Sequence, residues 1–259
     1  MAEGIRLNKA LADAGICSRR AADDLVFSGQ VTVNGVIAES PGLRVSPTDI
    51  IEVGGRKLCA GAAEPLCWLM LNKPVHVVST AYDPQRRATV LDYIPEQWRR
   101  LRLYPVGRLD YFSQGLLLLT NDGELANRLM HPRWHLSKTY RVLVRPENGA
   151  ESLDAALDTM RRGMTLAEGE HLLPVECSRI PWRGRGVLLE LVLRQGINRQ
   201  IRRMCRDLSL TVLRLCRVAE GPLSLGDLKE GHVRRLVPAE VQALRLAAGL
   251  EEKAALAKQ

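Results

Sequence analysis

Four consecutive leucines, Leu116–Leu119, constrain this chain more than any other stretch. Bounded by Gly115 on one side and by Thr120, Asn121 and Asp122 on the other, they read as a short strand that is buried and rigid. Just upstream, in "VGRLDYFSQGLLLLTND", stands Asp110, with Arg108 close before it and Gly107 and Gly115 bracketing it. Taken alone, an aspartate in a loop is a turn former or a cap. Beside a dry strand, however, an ionised carboxylate is costly unless a cation pairs with it, and the arginine-rich stretch 198–207 is the obvious source. An ion-paired carboxylate stays charged and positioned, as a nucleophile or electrostatic stabiliser must.

The charge distribution points to a polyanion. Lys and Arg exceed Asp and Glu by eight over 259 residues, but the surplus is local. Residues 1–60 carry seven basic and seven acidic side chains, whereas 194–217 carries seven arginines against Asp207 alone. No segment approaches the roughly 18 continuous apolar residues of a membrane span, and the opening residues lack the layout of a secretory signal, so a soluble cytoplasmic protein without membrane attachment is expected. The six cysteines are scattered, without a Cys-x-x-Cys pair, and read as reduced, mostly buried thiols. His131 and His135 are four apart, but Pro132 breaks the helix that would align them, and no metal is expected there. No Walker loop or dinucleotide fingerprint is present, and "VGGRK" (53–57) reads as a hairpin turn, so no cofactor is implied.

Along the chain, "RLNKALADAG" has helical spacing ended by Gly15, and Ser18 can cap a second helix ended by Gly29. "VTVNGVIA" then reads as strand, Asn-Gly turn and strand, and "DIIEVGGRKL" alternates into another turn. This gives a small first domain over 1–60, a linker over 61–65 in the unpatterned "CAGAAEP" stretch, a second domain over 66–248 and a frayed tail over 249–259. In the second domain strands are expected at 67–71, 75–79, 116–120, 139–145, 187–194 and 211–218, and helices at 122–130, 151–161, 198–207 and 238–248. The fold class is α+β, with a mixed, largely antiparallel sheet.

"RLNKALADAGICSRRAADDLVFSGQVTVNG" resembles the S4-type RNA-binding domain over about forty residues. The resemblance implies that Arg6, Lys9, Arg19 and Arg20 meet RNA phosphates; by charge alone they would be an ordinary solvated face. "GRLDYFSQGLLLLTND" looks like the catalytic motif of the pseudouridine synthases, in the branch containing RsuA, RluB, RluE and RluF, and "LNKPVHVVST", "SKTYRVLV" and "QGINRQIRRMC" follow that family's order. Within the branch, "SQGLLLLTN" and "QGINRQIRRMC" resemble the RluF type, while "DGELANRLMHPRW" is closer to RluB and RsuA.

The resemblance implies isomerisation of a uridine within RNA, with the target base flipped out of its stack and no cofactor. It makes Asp110 the catalytic carboxylate, Tyr140 the active-site tyrosine that stacks on the base, and Arg202 the arginine that pairs with the aspartate. Without it, Tyr140 would read as a core tyrosine on a strand. Arg108, Leu109 and Leu215 are expected around the uracil pocket, with Lys73, Lys138, Arg199 and Arg203 reaching RNA phosphates. Cleaving the glycosidic bond builds positive charge on the sugar, so a carboxylate at C1′ can stabilise it, form an adduct or take the 2′ proton; these routes stay open. The expected substrate is large-subunit ribosomal RNA, acted on by a monomer. Small-subunit ribosomal RNA and a non-catalytic ribosome-assembly factor are the alternatives, and a glycosidase of small substrates would give no reason for a basic leading domain.

Overall fold

The computed structural model describes residues 4–58, 65–134 and 136–250. Cys59, His135, the expected linker apart from Pro65, and the tail from residue 251 lie outside the described residues. The chain divides into two compact units, Met1–Leu66 and Cys67–Gln259.

In the first unit, α1 (Leu7–Asp13) turns Leu7, Ala10 and Leu11 inward at helical spacing. Helix α2 (Arg19–Phe27) starts where Ser18 Oγ accepts from the Ala21 amide at 3.2 Å, and buries Ala22 and Val26. The strands β1 (Val31–Val33) and β2 (Val36–Ile37) form a hairpin through Asn34 and Gly35, both at positive φ, as a tight Asn-Gly turn requires. Strands β3 (Ile51–Val53) and β4 (Arg56–Lys57) complete a four-stranded sheet whose inner residues pack on both helices.

The second unit is built on a nine-stranded sheet. Its strands are β5 (Trp68–Lys73), β6 (Tyr104–Val106), β7 (Gln114–Thr120), β8 (Lys138–Pro146), β9 (Glu176–Ile180), β10 (Val187–Leu193), β11 (Leu210–Glu220), β12 (Leu223–Ser224) and β13 (Val233–Arg235). The order β9-β10-β8-β11-β7-β5-β13 runs across the sheet, with β6 beside β7 and β12 beside β11. Every pairing is antiparallel except one: β7 meets β11 in parallel through only Gln114 with Cys216 and Gly115 with Arg217. That short seam joins the two halves of the sheet.

The leucine run explains one half. All of β7 is buried, because Leu116 and Leu118 face α3 (Gly123–Met130) and α6 (Pro238–Ala247) on one side, while Leu117 and Leu119 meet Val90, Ile94 and Leu103 on the other. Each leucine so buried contributes roughly 2 kcal/mol. Asp122 ends the run by accepting from the Leu125 amide at 3.1 Å, which starts α3. In the other half, α4 (Ala150–Arg162) and α5 (Gln200–Asp207) cover one face, over Val142, Val144, Leu189, Leu191 and Leu215.

Residues 75–79, expected as a strand, do not form one. Pro74 and the left-handed His76 (φ 63°) turn the chain, and the segment is held by single bonds instead: His76 N to Tyr111 O at 2.7 Å and Val78 N to Ala88 O at 2.9 Å. The expected helix over 198–207 begins at Gln200, because Arg199 is left-handed (φ 49°). Strands β6, β9, β12 and β13 had no counterpart in the sequence reading.

Candidate active site

Asp110 lies on the loop between β6 and β7, and that loop is clamped from several sides. Gly107 opens it at φ 76°. Ser79 grips Leu109 twice, its Oγ donating to the Leu109 carbonyl at 2.9 Å and accepting from the Leu109 amide at 3.1 Å. The Ser113 amide closes a turn on the Asp110 carbonyl at 3.0 Å. From beneath, Lys73 Nζ donates to the carbonyls of Pro74 (2.8 Å), Asp110 (3.2 Å) and Ser113 (2.8 Å), which uses all three ammonium protons. Lys73 was expected to reach phosphates; with 0% of its surface exposed it cannot, and it acts instead as the anchor of this loop. Burial lowers its pKa to about 8, against the attraction of Asp110 and Glu230.

Arg202, on α5, donates through Nη2 to the Phe112 carbonyl at 2.6 Å, and its Nε stands 4.0 Å from Asp110 Oδ2. That Nε is buried without a hydrogen-bond partner among the described residues, which leaves its proton available to the carboxylate. Arg199 Nη1 stands 3.9 Å from the same oxygen, which places it in the site and not only at its rim. Arg203 corrects the expectation differently. Its guanidinium is gripped by Glu168 and Glu170, so it braces α5 and is not free for phosphates.

The carboxylate faces a cleft of about 400 Å³ whose walls include Arg108, Leu109, Tyr140, Arg202 and Leu215. The loop, β8, α5 and β11 thus bring together the residues expected in the catalytic trio and the uracil pocket. Tyr140 projects from β8 where two apolar clusters meet. Burial pushes its hydroxyl pKa up, and Arg217 beside it pulls in the opposite direction. Lys138 also lines this cleft, 3.8 Å from Glu220, with its pKa lowered by burial.

Sequence reasoning missed the charged floor. Arg217 is 2% exposed; its Nε donates to the Leu116 carbonyl at 2.7 Å and its Nη2 lies 3.2 Å from Glu220. The strand period of two puts Arg217 on the face of Leu215, a signal available in "LRLCR". In the first unit Arg6, Arg19 and Arg20 are exposed, and Lys9 is paired with Asp13.

These elements enclose a cleft centred on a carboxylate and lined by basic side chains, and comparison with known proteins gives the class of fold. Residues 68–207 match the family model described as RNA pseudouridylate synthase, and residues 5–51 match the S4 domain. An uncharacterized RNA pseudouridine synthase of Aquifex aeolicus is 37% identical over 252 residues, covering 95% of this chain and 96% of that protein. Ribosomal large subunit pseudouridine synthase B of Bacillus subtilis is 39% identical over 245 residues, covering 93% and 95%. A solved structure titled as a pseudouridylate synthase superposes with a TM-score of 0.64 at 28% identity, covering 93% of this chain and 99% of that one. The chain belongs to the RNA pseudouridine synthase family and carries an S4 domain before its catalytic fold, as the sequence motifs implied. The large-subunit synthases of Bacillus subtilis and Xanthomonas axonopodis similar to this chain carry the B designation, one of the two types to which "DGELANRLMHPRW" is closer, where "SQGLLLLTN" suggested the F type. Among the described residues no helix is long and apolar enough to cross a membrane, and no cluster of three metal-ligating side chains occurs.

Proposed function

We propose that this enzyme isomerises a specific uridine of large-subunit ribosomal RNA, in the cytoplasm and as a monomer, with Asp110 as the catalytic carboxylate. The observation that carries the reading is the state of Asp110: partly exposed to an open cleft, flanked by two guanidinium groups at 3.9 and 4.0 Å, on a loop anchored by a fully buried lysine. A carboxylate held this way is aimed into the cleft, where it can meet the charge that develops at C1′ when the N1–C1′ bond breaks. The uracil then turns within the pocket and C5 bonds to C1′. The C5 proton is lost and N1 gains one, so atoms and electrons balance without a cofactor. Tyr140 offers its ring to the base and its hydroxyl to the C5 proton, and Leu215 supplies an apolar wall. Arg202 holds the carboxylate and its loop together through Asp110 and Phe112. The names of the relatives support the choice of RNA.

The test is tritium release from C5-labelled uridine in separate large- and small-subunit ribosomal RNAs, with wild type and Asp110→Asn. Release by wild type from the large-subunit RNA alone is expected, with none from the variant although it binds the RNA. Release by Asp110→Asn at the wild-type rate would overturn the catalytic assignment, and release from small-subunit RNA alone would overturn the substrate.

A further inference from the structure

Among the described residues, helices cover the half of the sheet formed by β9, β10, β8 and β11 on one face only. Val142, Val144, Leu189, Leu191 and Leu215 point into the core under α4 and α5. The alternate residues Arg141, Leu143 and Arg145 on β8 face the other way, with Arg141 opposite Glu190 on one side and Cys216 on the other. Cys216 packs in the cluster of α3 and α6, so this is the side those helices cover over β5 and β7; farther out, at Arg141 and Arg145, the surface is exposed.

Two irregularities shape that open surface. The pairing of β8 with β11 shifts register between Leu143 and Val144, and at that bulge both Leu213 and Arg214 are exposed, breaking the alternation. The turn joining β9 to β10, Pro181–Gly186, is exposed throughout and reads Pro-Trp-Arg-Gly-Arg-Gly. It is not slack. Trp182 Nε1 donates to the Arg185 carbonyl at 3.3 Å, its ring lies so close over Gly184 that an added Cβ would stand 2.8 Å away, and Gly186 rests against the side chains of Leu143 and Leu213. Trp182 remains 45% exposed.

We infer that this bare sheet face and its tryptophan-bearing turn form a second RNA-docking surface, on the opposite side of the sheet from the Asp110 cleft, which holds a part of the substrate RNA remote from the target uridine. Arg145, Arg183, Arg185 and Arg214 are exposed and form no ion pair among the described residues; Arg141 is paired only with Glu190, at 3.5 Å. Of the acids on this side, Glu190 meets Arg141, Glu176 is paired with Arg194, and Glu147 accepts from Thr211, so Arg145, Arg183, Arg185 and Arg214 are left over, and an excess of cations of this kind fits a phosphate backbone. The preformed turn offers an aromatic face for an unpaired base with little ordering cost. The inference takes the RNA substrate from the reading above but does not depend on which residue is catalytic.

The test measures binding of a full-length large-subunit rRNA transcript to the full chain over a series of salt concentrations. One variant carries Trp182→Ala, Arg183→Gln and Arg185→Gln, confined to the turn; a second carries Arg141→Gln and Arg214→Gln on the strands. Each variant should bind about tenfold more weakly at physiological salt, with the slope of log K against log salt shallower by about 0.7–0.9 for each phosphate no longer neutralised. Tritium release at saturating RNA should stay at the wild-type rate, since neither variant touches the cleft. Wild-type affinity and slope for the turn variant, which alters no strand residue, would overturn the inference whatever the strand variant does. If wild type itself released no tritium, the substrate assignment would fail, while the slopes would still decide this surface.

Discussion

Gly115 is the residue on which the two halves of the catalytic sheet turn, and Gly115→Ala tests that directly. Its φ is 108°, a region an L-residue with a Cβ rarely adopts, and the added Cβ would stand 2.2 Å from the Arg217 carbonyl oxygen and 2.7 Å from the Arg217 nitrogen. Both are backbone atoms of β11, so no side chain can swing aside. The dihedral strain alone costs about 1–2 kcal/mol. Relieving the clash by moving β11 adds roughly 1–3 kcal/mol of the kind measured for overpacked interiors. It would also break the parallel seam, which consists of two residue pairs. A loss of about 2–5 kcal/mol follows, which at about 2–4 °C per kcal/mol lowers the melting midpoint of the catalytic unit by on the order of 10 °C. Gly107→Ala is the control: φ is 76° but nothing lies within 4 Å of the added Cβ, so it should cost only about 1 kcal/mol. Urea and thermal unfolding of both variants decide the matter. If Gly115→Ala lost no more than Gly107→Ala, the view that the seam admits no side chain would be wrong.

Lys73→Met should slow tritium release by tenfold or more, equivalent to about 1.4 kcal/mol, because the loop carrying Asp110 loses its anchor. Since burial lowers the Lys73 pKa from 10.5 to about 8, the unfolded chain holds more protons between those values, so this group's contribution to folding stability rises with pH across the window, by about 3 kcal/mol. The stability difference between wild type and Lys73→Met, followed by urea unfolding from pH 7 to 10.5, should therefore shift in favour of wild type as pH rises; a flat difference would argue that the ammonium is not desolvated. Arg217→Met leaves the buried Glu220 with only Lys138, at 3.8 Å, to offset its charge and should cost about 3 kcal/mol, with Glu220→Gln restoring part of the loss in a double-mutant cycle. Arg202→Lys keeps a charge near Asp110 but loses the bond to the Phe112 carbonyl, and a kcat about tenfold lower with unchanged unfolding would separate loop positioning from fold support.

The sequence was most legible where one signal sufficed. Ser18 and the Asn34-Gly35 pair carry local instructions, and the structure reads them as a cap and a hairpin turn. The leucine run marked β7 because a strand covered on both faces has no polar side to confuse the pattern. The strand expected at 75–79 failed for the opposite reason: "VHVVS" has strand composition, yet Pro74 and the left-handed His76 send it around the Asp110 loop, where Tyr111 and Ala88 take its amides. β9 and β13 are edge strands with no fully buried residue, and β12 is two residues long with only Leu223 buried, too little for a buried pattern to show.

For the site, composition and spacing conveyed charge but not burial. Lys73 and Arg203 are cations in sequence like Arg19 and Arg20, and nothing local distinguishes them. What separates them is tertiary: three loop carbonyls converge on Lys73, and two glutamates from residues 168 and 170 converge on Arg203. A wholly buried lysine survives only because all its protons are matched, and those matches fix the backbone of the loop that carries Asp110. The arginine-rich segment therefore does two separate jobs. Arg199 and Arg202 point at Asp110 while Arg203 and Arg206 hold Glu168 and anchor the helix that aims them. Charge density read from the sequence located this helix; the acidic partners, thirty-odd residues upstream in the chain, decide which of its arginines remain available to the site.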